Sequence, residues 1–103
     1  MRRGMTLDRV EAAELAVTAK ALADPTRIQL LARLAVQPSF PTELEDWLKG
    51  LGTVLNQSTV SQHLGILAKA GLISRDRLGV HVACALLPSG PRPLADFLRE
   101  VAG

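Results

Sequence analysis

Proline and glycine punctuate this sequence so regularly that few folds remain open to it. Breaks fall at Asp24-Pro25, at residues 38–41, at Gly50 and Gly52, at Gly71, at Gly79 and across residues 88–93. Proline lacks an amide hydrogen and has a fixed φ, whereas glycine tolerates positive φ, so both end regular elements. Between the breaks no apolar run approaches the roughly 18 residues of a membrane span. What remains is a set of short helices followed by short strands.

Residues 7–22 are rich in Ala, Glu and Leu, with Val10, Leu15, Ala19 and Leu22 near helical spacing. Asp24 caps a second helix, Pro25 suits its first position, and the helix runs to about Ala35. Ile28, Leu31 and Leu34 or Ala35 form its expected buried stripe, with Arg27 and Arg33 off it. A loop at residues 37–41 follows. Thr42 and Glu45 then have the spacing of a capping box, ahead of Leu44, Trp47, Leu48 and Leu51. Asn56 caps a helix over residues 57–70, and Gly71 suits its C-terminal stop. Residues 72–77 and 80–86 alternate as two strands of a hairpin. Leu78 is a poor residue for positive φ, so a turn longer than two residues is expected, with Gly79 alone left-handed. Leu94, Phe97, Leu98 and Val101 space out as a last short helix.

Composition narrows the class. The chain has 103 residues, 48% of them hydrophobic, and a net charge of +2. That suits one domain over residues 1–103 and is too apolar for a disordered chain. A domain this small has a narrow stability margin, which a second subunit would widen. A pI near 9.2 permits a nucleic-acid partner without demanding one. Cys84 is the single cysteine, so an intrachain disulfide and a zinc site of cysteine pairs are both excluded. Residues 1–5 resemble the start of a targeting signal, but Asp8, Arg9, Glu11 and Glu14 interrupt the apolar stretch it would need. A cytoplasmic protein without a membrane segment is expected.

Helix, break, helix, hairpin is the order of a winged helix-turn-helix, a mainly α fold with a β-hairpin wing. At 100° per residue, Val60, Leu64, Leu67 and Gly71 fall within about 60° of one another and define a core face. Ser58, Gln62, Gly65 and Lys69 fall opposite, with Thr59 and Ser61 at the flanks. No acidic residue occurs between Asp46 and Asp76. A helix facing phosphates would show that absence, because a carboxylate there repels the backbone. Gln pairs bidentately with adenine, Ser and Thr reach phosphates and base edges, and the free amides of a helix start attract anions. The plainer alternative is an ordinary polar surface helix.

The residues then resemble a known family. The run from Ala21 through Asp24, Pro25, Thr26 and Arg27, with Ile28, Leu30 and Leu31, is similar to the second helix of ArsR/SmtB-type transcriptional repressors. The octapeptide from Gln57 to Leu64 is similar to their recognition helix, and Ala70-Gly71-Leu72-Ile73 to their turn into the wing. The resemblance implies a homodimer with residues 7–22 and 91–102 as dimerisation helices, residues 42–70 as the helix-turn-helix and residues 72–87 as the wing. It implies a palindromic double-stranded DNA operator, with Gln57, Ser58, Thr59, Ser61, Gln62 and His63 at the groove and phosphates and Arg75 and Arg77 on the wing. The family often carries cations at the positions of Gly65, Ala68 and Val80, all absent here; Lys69 compensates once. Those absences imply modest DNA affinity or a larger share of base readout. The stretch over residues 49–55 is also longer than the family's usual turn.

Metal-sensing members place cysteine motifs on the third helix or Asp and His ligands on the last. Here the third helix offers only Glu43, Glu45 and Asp46, and the last only Asp96 and Glu100. His63, His81 and Cys84 are too few for a closed zinc site, so no metal and no cofactor are expected. Cys84 reads as a buried small residue rather than a redox switch, and Trp47 as core. Phe97, Leu98 and Val101 with the first helix are expected to frame an apolar pocket at the dimer interface for a small-molecule effector. The rival reading, favoured by the missing cations, is a winged helix that binds an effector or protein and has lost DNA. An enzyme is not expected, since no catalytic triad or phosphate loop is present.

Overall fold

The computed structural model describes residues 6–103; residues 1–5, with the signal-like start, lie outside them. The described elements are α1 (Arg9–Ala21), α2 (Pro25–Val36), α3 (Pro41–Gly50), α4 (Gln57–Lys69), β1 (Ile73–Leu78), β2 (His81–Leu86) and α5 (Arg92–Ala102). The helix starts follow local chemistry. Asp8 and Glu11 form a reciprocal capping box at α1, with Asp8 accepting from Glu11 N at 2.8 Å. Asp24 accepts from the amides of Thr26 and Arg27, and Pro25 takes the first position of α2. Asn56 accepts from Thr59 N at 2.8 Å and starts α4.

Helix α3 departs from the Thr42–Glu45 capping box. It begins at Pro41, and Glu43 reaches back to accept from Phe40 N at 2.8 Å. Pro41 causes the shift: its φ is already helical, and it has no amide to leave unsatisfied at a first position.

The core lies where α2, α3, α4 and the root of the hairpin meet. Leu30, Leu44, Val60, Leu67, Leu72 and Cys84 are fully buried there. In α2 the inward stripe is Leu30 and Leu34, four residues apart, and Ile28 is 53% exposed. The expected stripe therefore holds at Leu34 but starts at Leu30 rather than Ile28, and Arg27 is half-buried. Leu51 is also exposed, because it sits past the end of α3 where Gly52 turns the chain at φ +89°. The long turn after α3 is bonded down. Thr53 N donates to Leu48 O at 2.9 Å, and Thr53 Oγ1 donates to Gln29 Oε1 at 3.4 Å. Helices α3 and α4 still pack together across it.

The hairpin corrects a second expectation. Leu78 pairs with His81, so the connection is a two-residue turn of Gly79 and Val80. Gly79 takes φ +66° without steric cost, and Leu78 stays in the strand. The loop at residues 37–41 adds a bridge to β2: Ser39 N donates to Cys84 O at 3.0 Å, and Cys84 N to Ser39 O at 2.9 Å. Beyond the core, α5 packs on α1 yet fully buries no residue of its own within the chain. Val10 and Val17 of α1, and Leu98 and Val101 of α5, stay exposed.

Candidate nucleic-acid interface

Helix α4 divides as its sequence requires. Val60, Leu64 and Leu67 are buried against α2 and α3, which turns Gln57, Ser58, Ser61 and Gln62 to the surface. Thr59 is half-buried and gives its amide to the Asn56 cap. The exposed face thus carries hydroxyls and amides without a carboxylate, next to the anion-attracting start of the helix.

The wing closes over one edge of this face. Arg75 pairs with Cys84 and Arg77 with Val82 in the antiparallel register. Residues directly opposite share a face, so both arginines rise on the same side as buried Ile73 and Cys84. Arg75 Nη1 and Nη2 lie 3.9 and 4.0 Å from where a Cβ on Gly65 would stand. Between the wing and the starts of α3 and α4 lies a cleft of about 280 Å³, walled by Thr42, Gln57, Ser61, Arg75 and His81. His81 is positioned against Phe40, with ring centroids 5.4 Å apart. No carboxylate lines this cleft.

Two of the expected contact residues stand apart from the set. His63 is half-buried, and Arg27 Nη1 donates to its Nδ1 at 3.2 Å, so the ring is engaged by α2. The same guanidinium donates through Nε to Ala21 O at 2.6 Å and through Nη2 to Lys20 O at 3.5 Å. Arg27 therefore caps the C-terminal end of α1 and ties it to α4, where the helix dipole favours a cation. Lys69 lies at the far end of α4, about 18 Å from Gln57 at 1.5 Å per residue. There it borders a hollow with Val17, Lys20, Arg27 and Ile66. Thr42 is not a contact that the sequence points to, and Gly65 is marked there only as a position that lacks the family's cation. A glycine in mid-helix also costs about 1 kcal/mol relative to alanine, a second signal at that position.

Two titratable groups are shifted. Burial would raise the Asp24 carboxyl, but hydrogen bonds from the Arg27 and Thr26 amides outweigh it. With His63 and Arg27 nearby, they hold it below the usual value. Burial pushes the Cys84 thiol up, and Arg75 opposes this only in part. Among the described residues, no three His, Cys, Asp or Glu side chains gather as a metal site would require. Nor is any described helix long and apolar enough to cross a membrane.

A tri-helical core, a polar carboxylate-free second helix of the helix-turn-helix and an arginine-bearing hairpin together define a winged helix-turn-helix of the DNA-binding kind. Known proteins agree. The family described as a helix-turn-helix domain matches residues 22–76. The transcriptional regulator NmtR of Mycobacterium tuberculosis is 33% identical over 95 residues, 92% of this chain and 75% of that protein. The crystal structure of the ArsR family transcriptional regulator RHA00566 superimposes with a TM-score of 0.75 at 26% identity, covering 86% of this chain and 92% of that one. The homodimeric winged helix-turn-helix DNA-binding domain of Mb0332 from Mycobacterium bovis gives a TM-score of 0.68 at 26% identity, covering 97% and 90%. The chain belongs to the ArsR family of winged helix-turn-helix transcriptional regulators, a family of DNA-binding proteins rather than enzymes.

Proposed function

We propose that this regulator is a cytoplasmic homodimeric repressor that holds a palindromic operator through α4 of each protomer. The observation that carries the reading is the exposed, carboxylate-free face of α4 beside Arg75. Gln57, Ser58, Thr59, Ser61 and Gln62 supply the base and phosphate contacts, and Arg75 and Arg77 the cations. His63 supports α4 from behind through Arg27, and Lys69 acts at most on distant backbone.

The dimer rests on α1 and α5. An amphipathic helix that fully buries no residue in its own chain needs another surface, and Leu98 and Val101 are 54% and 63% exposed. The homodimeric state of Mb0332, which has the same fold, supports the same arrangement here. Release comes from a signal other than a metal ion. A hollow of about 600 Å³ between α1 and α5, with Phe97 but neither Leu98 nor Val101 on its walls, and with Glu11, Glu14, Asp96 and Glu100 beside Leu15, seats a small-molecule effector. Such a ligand releases DNA only if it favours one dimer arrangement over the other.

The test is fluorescence anisotropy on DNA from upstream of the protein's own coding region, against scrambled DNA of equal length, over several salt concentrations. Tight, sequence-preferring binding at physiological salt is expected, and Gln62→Ala with Ser61→Ala should abolish the preference. Equal or absent binding to both DNAs would favour an effector- or protein-binding module instead.

A further inference from the structure

The recognition helix lacks a cation over its N-terminal two thirds, yet a cation stands on it. Register places Arg75 opposite Cys84, on the inward side of the hairpin. From there its guanidinium reaches α4 at Gly65, within 4.0 Å of the missing Cβ. Any side chain longer than alanine at 65 would occupy the space the guanidinium now fills. The charge also borders the cleft whose other polar walls, Thr42, Gln57, Ser61 and His81, offer hydrogen-bond donors and no carboxylate.

We propose that Gly65 is the seat of Arg75, and that the pair clamps a DNA backbone phosphate in the cleft between wing and α4. Arg75 then belongs to the recognition surface, and Arg77, farther out along the wing, remains a flanking contact. This inference rests on the DNA-binding reading above and names a device within it. Phosphate, rather than a base edge, is the partner because the cleft holds a guanidinium and no carboxylate, its hydroxyls, amide and imidazole can all donate, and a guanidinium matches a phosphate bidentately. The seat has room for nothing larger than a methyl group. An alanine Cβ would make ordinary contact at 3.9 Å, whereas a leucine would push the guanidinium away.

Salt titrations of the whole protein on operator and scrambled DNA test this. Each phosphate contact contributes about 0.9 to the log–log salt slope, so a dimer losing two Arg75 side chains should lose about 1.8. Equivalently, the affinity advantage of the parent over Arg75→Ala should shrink roughly twelvefold between 50 and 200 mM salt. The loss should be equal on operator and scrambled DNA, as for a phosphate contact. Gly65→Ala should bind like the parent. Gly65→Leu should match Arg75→Ala in slope, and the double variant should be no worse than either. Arg75→Ala with Gly65→Lys should recover the slope, because the lysine supplies the charge from the helix itself. Circular dichroism confirms that each variant is folded. An unchanged slope in Arg75→Ala, or additive losses in the double variant, would overturn the clamp while leaving DNA binding intact. A parent protein that binds neither DNA at any salt would instead overturn the reading on which the clamp rests.

Discussion

Gly90, on the segment leading into α5, lies against backbone where a side chain has no room, and Gly90→Ala should destabilise the fold. A Cβ built on Gly90 collides with the carbonyl oxygen of Gly71 and lies 2.9 Å from Leu72 Cα and 3.0 Å from the Gly71 carbonyl carbon. Comfortable carbon contacts need about 3.5–4.0 Å, so the turn must retreat by roughly 0.5–1 Å. The opposing atoms are all backbone, at the junction of α4 and β1, and cannot rotate aside. Retreat also strains the bond from Leu87 N to Leu72 O, now 2.9 Å. Overpacking of this kind costs about 1–3 kcal/mol, and a lost backbone hydrogen bond adds about 1. For a domain near this size each kcal/mol lowers Tm by about 4–8 °C, so a fall of at least about 8 °C is expected. Thermal unfolding by circular dichroism, at matched protomer concentration, measures it, with exposed Ser89→Ala as the control. A Gly90→Ala protein melting within about 2 °C of the parent would refute the packing argument.

Asp24→Asn keeps a good cap and removes only the charge. The folded carboxyl is held low, so its stabilisation is complete above the ordinary value of 3.8 and fades as pH falls below it. Urea midpoints should separate parent and variant near neutral pH and converge in acid; a gap that is constant with pH would contradict this. Arg27→Ala removes three hydrogen bonds at the junction of α1 and α4 and should cost about 1–3 kcal/mol by urea unfolding. An undiminished midpoint would show the junction to be idle. Cys84, fully buried and with a raised thiol pKa, should react with a disulfide reagent at pH 7 only as fast as the protein opens. Rapid labelling of the native protein would argue for an exposed thiolate. Leu98→Glu places a charge on the exposed apolar face of α5 and should leave a folded monomer in sedimentation experiments. A dimer of undiminished affinity would move the interface elsewhere.

The helices were legible because their signals are local. Asp24 before Pro25, Asn56 before α4 and Gly71 after it act within a few residues of themselves, and each boundary falls where that chemistry puts it. Local signals also compete. Thr42 and Glu45 have the spacing of a box, but Pro41 had already started the helix, and a reading of spacing alone does not rank the two. Faces were harder than boundaries. The α2 stripe holds at Leu34 and, half-buried, at Leu31, but Leu30 rather than Ile28 fills its first turn, a demand made by the neighbouring α3 and α4. The bridge of Ser39 to Cys84 has no local signal at all, since it joins residues far apart in the chain.

The recognition face shows where a helical wheel stops informing. It orients Gln57, Ser58, Ser61 and Gln62 correctly about the axis, and says nothing of what leans on each residue from another element. His63 sits at the edge of the core face on the wheel, and only the path of Arg27 decides that its ring turns inward. Arg75 depends on the turn. A loop at Leu78-Gly79 would set Arg75 opposite Val82, nearer the tip, whereas Gly79-Val80 sets it opposite Cys84, nearer the root and over α4. That one-residue choice follows from Gly79 being able to take φ +66° where Leu78 is not. Gly65, seen in the sequence as a place where a cation is lacking, is thus the place where the wing delivers one, and its helix-weakening glycine gains a reason.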